Sequence, residues 1–166
     1  MTNTLRLKNS LQASLKNRKH QSSNTKFKGE NSVTKEIKAK AEVYYGDETC
    51  REKFVSLLEE KGFPIGLLTF QDIQECGYVK DTGFVWLRHK KKRELCKLED
   101  VVLSYDAEIT AYFEPKKIKN LTDVKAKEFL IWITLTDIYV DQSSSITFKT
   151  NLVGLSKSFP VSVFNV

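Results

Sequence analysis

Residues 129–140 are Phe-Leu-Ile-Trp-Ile-Thr-Leu-Thr-Asp-Ile-Tyr-Val. The stretch is long, β-branched and aromatic, without Gly or Pro, so it predicts a strand placed centrally in a sheet. Upstream, Ile109, Ala111 and Phe113 alternate with Glu108, Thr110, Tyr112 and Glu114, the pattern of a half-buried strand that Pro115 ends. Gly77-Tyr78-Val79 and Phe84-Val85-Trp86-Leu87 flank the polar turn 80–83 and predict a β-hairpin. A looser strand pattern over 95–104, with 146–148 and 161–164, brings the expectation to about seven or eight strands. Their close spacing and polar turns favour an antiparallel sandwich or barrel, because a parallel sheet needs crossover helices.

Before the strands the period is helical. Ser32 or Thr34 can cap a first helix with Ile37, Ala41 and Tyr44 or Tyr45 on one face. Gly46 and Asp47 break it. Asp47 is placed to cap a second helix running through Lys61, with Phe54, Leu57 and Leu58 at helical spacing and Gly62 as its stop. The expected class is therefore mainly β, α+β at the N-terminus, with two N-terminal helices.

At 166 residues, with 40% apolar and 29% charged residues, the chain is long enough for one folded domain with a core of its own. The longest apolar run, 129–133, is far shorter than the ~20 residues that cross a bilayer as a helix. The net charge of +6 is unevenly placed: residues 1–29 carry seven cations and no acid, and the remainder is close to neutral. Residues 1–31 thus read as a basic tail and 32–166 as the folded domain. Charge concentrated on the tail argues against a dedicated nucleic-acid-binding fold. Leu7, Leu11 and Leu15 would line one face of a short basic helix, which could meet an anionic membrane surface or serve as an organelle transit peptide. The alternative is a solvated tail. Three cysteines without a CxxC pair imply neither a disulfide framework nor a zinc site. The opening MTNTLRLKNS lacks an uninterrupted apolar region. Both point to an intracellular, cytoplasmic protein.

Catalysis needs titrating or attacking groups held together. His20 lies in the tail and His89 within Arg88-His89-Lys90-Lys91-Lys92-Arg93, where a solvated loop histidine is the plain expectation. The cations Arg88, Lys90, Lys91, Lys92 and Arg93 could grip phosphate if they crown a hairpin tip, though such runs are usually solvated turns. Gly154-Leu155-Ser156-Lys157-Ser158 resembles a nucleophile elbow with Ser158 where the second Gly belongs, and a strand rather than a helix follows. No catalytic residue, metal set or cofactor is expected. Cys50, Cys76 and Cys96 read as small hydrophobes. Trp86, Tyr112 and Trp132 are the candidate ligand contacts if the interior accepts an amphiphile, and core filling otherwise.

The motifs AKAEVYYGDETCREK at 39–53, GFPIGLLTFQDIQECGYVKDTGFVWL at 62–87 and EITAYFEPKKIKNLTDVKAKEFLIWIT at 108–134 closely resemble the plant family named for domain of unknown function 538. ITFKT at 146–150 and LSKSFPVSVF at 155–164 continue the likeness, which spans 33–166. The resemblance implies two helices on a compact β sandwich or barrel and a link to stress responses. It further implies either an amphiphile site, as in bactericidal/permeability-increasing lipid binders, or hydrolysis of a pigment ester. A non-enzymatic lipid or amphiphile binder is the reading adopted here. An esterase acting through Ser156 and a protein-interaction module using a sheet edge are the alternatives.

Overall fold

A computed structural model of the chain describes residues 33–67, 70–91, 93–98 and 101–164, the segment 93–98 by its backbone alone. The basic tail, with its three leucines, lies outside the described residues.

Helix α1 is Lys35–Ala39, and the Thr34 hydroxyl caps it by accepting from the Ile37 N–H at 3.3 Å. It does not run on to Tyr44 as the spacing predicts. Glu42–Tyr45 instead form strand β1, paired antiparallel with β2 (Ile73–Val79). Val43, Tyr44 and Tyr45 are strand formers, and the ladder to β2 satisfies their backbone groups, which outweighs a helical spacing of three or four apolar residues. Gly46, at φ 90°, turns the chain into α2 (Asp47–Glu60). Gly46 itself holds the cap position. Asp47 therefore does not cap; its carboxylate accepts from the Ile73 N–H at 3.0 Å and pairs with Arg51 at 3.0 Å, tying the helix start to β2. Cys50, Phe54, Leu57 and Leu58 are its buried face, and Gly62 follows its end at φ 82°, as a glycine stop should.

The strands that follow are β3 (Phe84–His89), β4 (Arg93–Leu98), β5 (Val101–Tyr105), β6 (Glu108–Glu114), β7 (Lys117–Lys119), β8 (Val124–Glu128), β9 (Ile131–Val140), β10 (Ser145–Thr150) and β11 (Ser156–Pro160). All pairings among the described residues are antiparallel, in the order β1-β2-β3-β6-β7-β9-β8-β5-β4, with β10 on the other side of β9 and β11 beyond it. The mainly β, antiparallel expectation holds. The sheet is open, not a barrel, because β1 and β4 end the path without pairing to one another. Strand β9 is central, as its composition predicts. Its second half pairs with β7 at Tyr139 and Ile138, and its first half pairs with β8 from Ile131 to Thr134. Thr136 is skipped in the ladder to β10, a bulge of the kind that bends a strand.

Eleven strands exceed the seven or eight expected. Lys117–Lys119 and Val124–Glu128 are too short and lysine-rich to show alternation, and the loose pattern at 95–104 is two strands. Val161–Phe164 is a 3₁₀ turn where a strand was expected. Pro160, without an N–H, closes the ladder, and Phe164 folds back onto Phe148 and Phe159 at centroid distances of 6.1 and 6.2 Å.

The core lies inside these strands and under α2, with Leu58, Leu87, Ile118, Ile138 and Ile146 among its most buried members. Phe54 anchors the helix by edge contacts to Phe70 (5.3 Å) and Phe113 (5.7 Å). A second, smaller cluster of Val79, Phe84 and Trp86 packs against Val33, Ile37, Ala41 and Val43, so α1 covers the outer face of the β1–β2–β3–β6 sheet and Val43 of the edge strand β1 flanks the cluster.

Candidate functional site

The three candidate aromatics do not converge. Trp86 is fully buried in the outer cluster, where Phe84 packs on it at 6.2 Å and Tyr112 packs on Phe84 at 5.2 Å. Its ring lies on Gly77, where any Cβ would sit 2.0 Å from the indole. Its Nε1–H donates to Glu75 Oε1 at 3.0 Å, and the same carboxylate holds Lys38 at 2.8 Å and Arg88 at 3.4 Å. Burial pushes the Glu75 carboxyl up, but the Lys38 and Trp86 hydrogen bonds and the Arg88 charge outweigh it and keep it below its usual range. Trp132 lies elsewhere, near the start of β9, 39% exposed with the Lys127 ammonium 5.6 Å from its ring centre.

The five cations are divided as well. The segment Arg88–Arg93 links two strands that do not pair with each other, so it is not the tip of a hairpin. Arg88 faces Glu75 and Glu108, the latter at 2.9 Å. Lys90 and Lys91 are exposed; Lys92 and the Arg93 side chain lie outside the described residues. His89 is buried, not solvated: it ends β3 between Phe70 (5.8 Å) and Tyr105 (4.7 Å). Its Nδ1–H donates to the Gln71 carbonyl at 3.1 Å, and its buried Nε2 meets no hydrogen-bond partner among the described residues. Burial holds its pKa below the usual imidazole value. Ser156 is exposed at the start of β11, in a different element from His89. Cys50 and Cys76 are buried thiols whose pKa values burial raises, which leaves them neutral and poorly nucleophilic.

What does assemble is an apolar cleft. The inner faces of β5, β8 and β9 oppose the β10–β11 hairpin across Val101, Leu103, Ile133, Leu135, Phe148 and Phe159. The cavity between them is about 30 Å³, room for one water, so any larger guest must part the two layers. Glu128 and Lys157 pair across its rim at 3.5 Å. Two roomier recesses, of about 280 Å³ beside α2 and 200 Å³ beside α1, have charged groups in their walls, Arg51 in one and Glu36 with Lys40 in the other. Tyr112 lines the second.

The cleft opens where the surface is unusual. Eight large apolar residues are exposed among the described residues, and six of them lie at this end: Phe129 and Leu130 in the β8–β9 turn, Ile131 and Trp132 at the start of β9, and Leu152 and Val153 in the β10–β11 loop. The rim pair Glu128–Lys157 and the bond from the Asn151 N–H to the Thr134 carbonyl (3.0 Å) hold these two segments at one end of the sheets. Isolated exposed apolar residues need no explanation; a contiguous group does.

Residues 54–165 match the family described as protein of unknown function, DUF538. The chain belongs to this family. The match starts inside α2, later than the resemblance at 33–166, so α1 and β1 fall outside it while the cleft and the exposed end fall within it. No curated protein and no solved structure matches the chain.

For this member of DUF538, the sequence reading passes over the exposed end. Residues 129–133 are consecutive apolar residues, which violates the alternation of a half-buried strand, and that break is the available signal. It is masked because the turn contains no Gly, Asn or Asp, so Phe129 and Leu130 read as strand.

Proposed function

We propose that this DUF538 chain is a non-enzymatic binder of lipid-like amphiphiles, taking an acyl chain into the cleft between β5–β8–β9 and the β10–β11 hairpin. The observation that carries this is the pairing of a mainly apolar cleft, whose lining has Thr150, Ser156, Glu128 and Lys157 as its polar residues, with a group of exposed apolar side chains beside its mouth. Burying an acyl chain there gains about 0.8 kcal/mol per methylene, while the β9–β10 ladder stays closed as the hinge and the partly exposed Glu128–Lys157 pair gives way at the rim. Phe148 and Phe159, both on the hairpin and in contact at 5.8 Å, would move as one unit as the hairpin swings away from β5 and β8. The reading replaces Trp86 and Tyr112 as contacts and keeps Trp132 at the entrance. Within the same proposal the protein works inside the cell, in the stress-linked plant setting that the resemblance implies.

The test is thermal. Long-chain fatty acids and lysophospholipids should raise the Tm of the full chain with concentration, by mass action. Ala126→Leu, which adds bulk to the cleft wall, should weaken the shift, with circular dichroism checking that the chain stays folded. A panel of such amphiphiles that leaves the Tm unchanged would refute the proposal.

A further inference from the structure

The exposed end has a property that cleft binding does not require. Phe129 and Leu130 form a two-residue turn between Glu128 and Ile131 and are 93% and 89% exposed. Phe129 sits at φ 55°, a conformation that a turn of this length normally gives to Gly or Asn. An aromatic residue there gains nothing by burial and sits in a region of backbone space unfavourable to bulky side chains. Local stability explains neither choice. Leu152 and Val153, exposed in the β10–β11 loop, extend the apolar end.

The charges around it have one sign in excess. Strand β8 carries Lys125 and Lys127 and β11 carries Lys157, whereas Lys149 of β10 is turned toward Tyr139 at 5.8 Å, with Asp137 opposite it on β9. Glu128 is the acid nearest the turn in sequence, and it is paired with Lys157. Lys127 lies over Trp132, an aromatic of the type that settles at the level of lipid headgroups. Apolar tip, aromatic behind it and lysines behind that is the order of layers a polypeptide meets on entering an anionic bilayer from water.

We infer that this end docks on anionic membranes, with Phe129, Leu130, Leu152 and Val153 in the acyl boundary and Lys125 and Lys127 against headgroup phosphates. The inference does not rest on an internal ligand. A chain that docks yet shows no Tm shift with soluble amphiphiles fails the proposal above and passes this one.

The experiment is co-sedimentation of the full chain with phosphatidylcholine vesicles containing about a third phosphatidylserine. Binding is expected, weaker on phosphatidylcholine alone and weaker as ionic strength rises. The double variant F129S/L130S should lose at least about tenfold in partitioning with its Tm unchanged, because both side chains are in water. K125E/K127E should weaken binding to the anionic vesicles alone. Trp132 emission should shift to the blue on binding and be quenched by brominated acyl chains. Binding that F129S/L130S leaves intact would assign attachment to the basic tail and overturn the inference, as would failure of the full chain to bind. A dimer that the double variant dissolves, with no vesicle binding, would assign the end to a second copy and overturn it too.

Discussion

The two tryptophans of this chain stand on strands of one sheet and have opposite surroundings. Trp86 is fully buried, its N–H bonded to Glu75, its ring on Gly77, its outer side closed by α1 and its flank by Val43 of β1. Trp132 is 39% exposed, with a lysine over its face and two bare apolar residues beside it in the chain. One site is closed on every side, and the other is open where a partner would be needed to complete it. An aromatic on a strand is therefore uninformative about function until its covering layer is known.

The comparison breaks most readily at Trp86. Trp86→Ala should destabilise the fold by about 3–5 kcal/mol, and Gly77→Ala by about 3 kcal/mol because its new Cβ has no room against the ring. Urea unfolding of either variant measures this; a loss under about 1 kcal/mol would mean the outer cluster is not a packed site. Next in size is an acid-side effect from the end of β3. His89 is held neutral by burial, with its folded pKa below 6.5, whereas the unfolded chain takes up the proton near 6.5. The unfolded state thus binds more protons as pH falls, so stability contributed by His89 is present above pH 6.5 and is lost on acidification below it. Asp47 opposes the shift but does not reverse it. Denaturation midpoints at descending pH should show this slope, and His89→Gln should flatten it. Smallest of all is Phe129→Ser, expected to change stability by less than about 0.5 kcal/mol. A large loss there would show that the exposed end is packed in solution, and the contrast with Trp86 would disappear.

Much of the fold is legible in particular residues. Thr34 caps α1, Gly62 stops α2, Gly83 closes the β2–β3 turn at φ 77°, and Ile109, Ala111 and Phe113 point into the core. The misreadings share one cause, a local pattern overruled by pairing partners distant in sequence. Residues 42–45 leave the helical spacing because β2 offers a ladder. Val161–Phe164 leaves the strand pattern because Phe148 and Phe159 offer Phe164 a place. The functional candidates suffered more. Arg88 sits among cations in the chain but among Glu75 and Glu108 in space, and His89, beside three lysines in sequence, is buried against Phe70 and Tyr105.

By itself the sequence determined the antiparallel, mainly β class, the helix ends marked by Thr34 and Gly62, and the central place of 131–140, because alternation, caps and glycine turns act over a few residues. Only the tertiary structure decided that Trp86 is closed, that the cations are parted and that two separate loops expose their apolar residues at one end. Burial is a property of what packs on a residue, and for Trp86 the packing comes from Val33, Ile37, Ala41 and Val43, more than forty positions earlier in the chain.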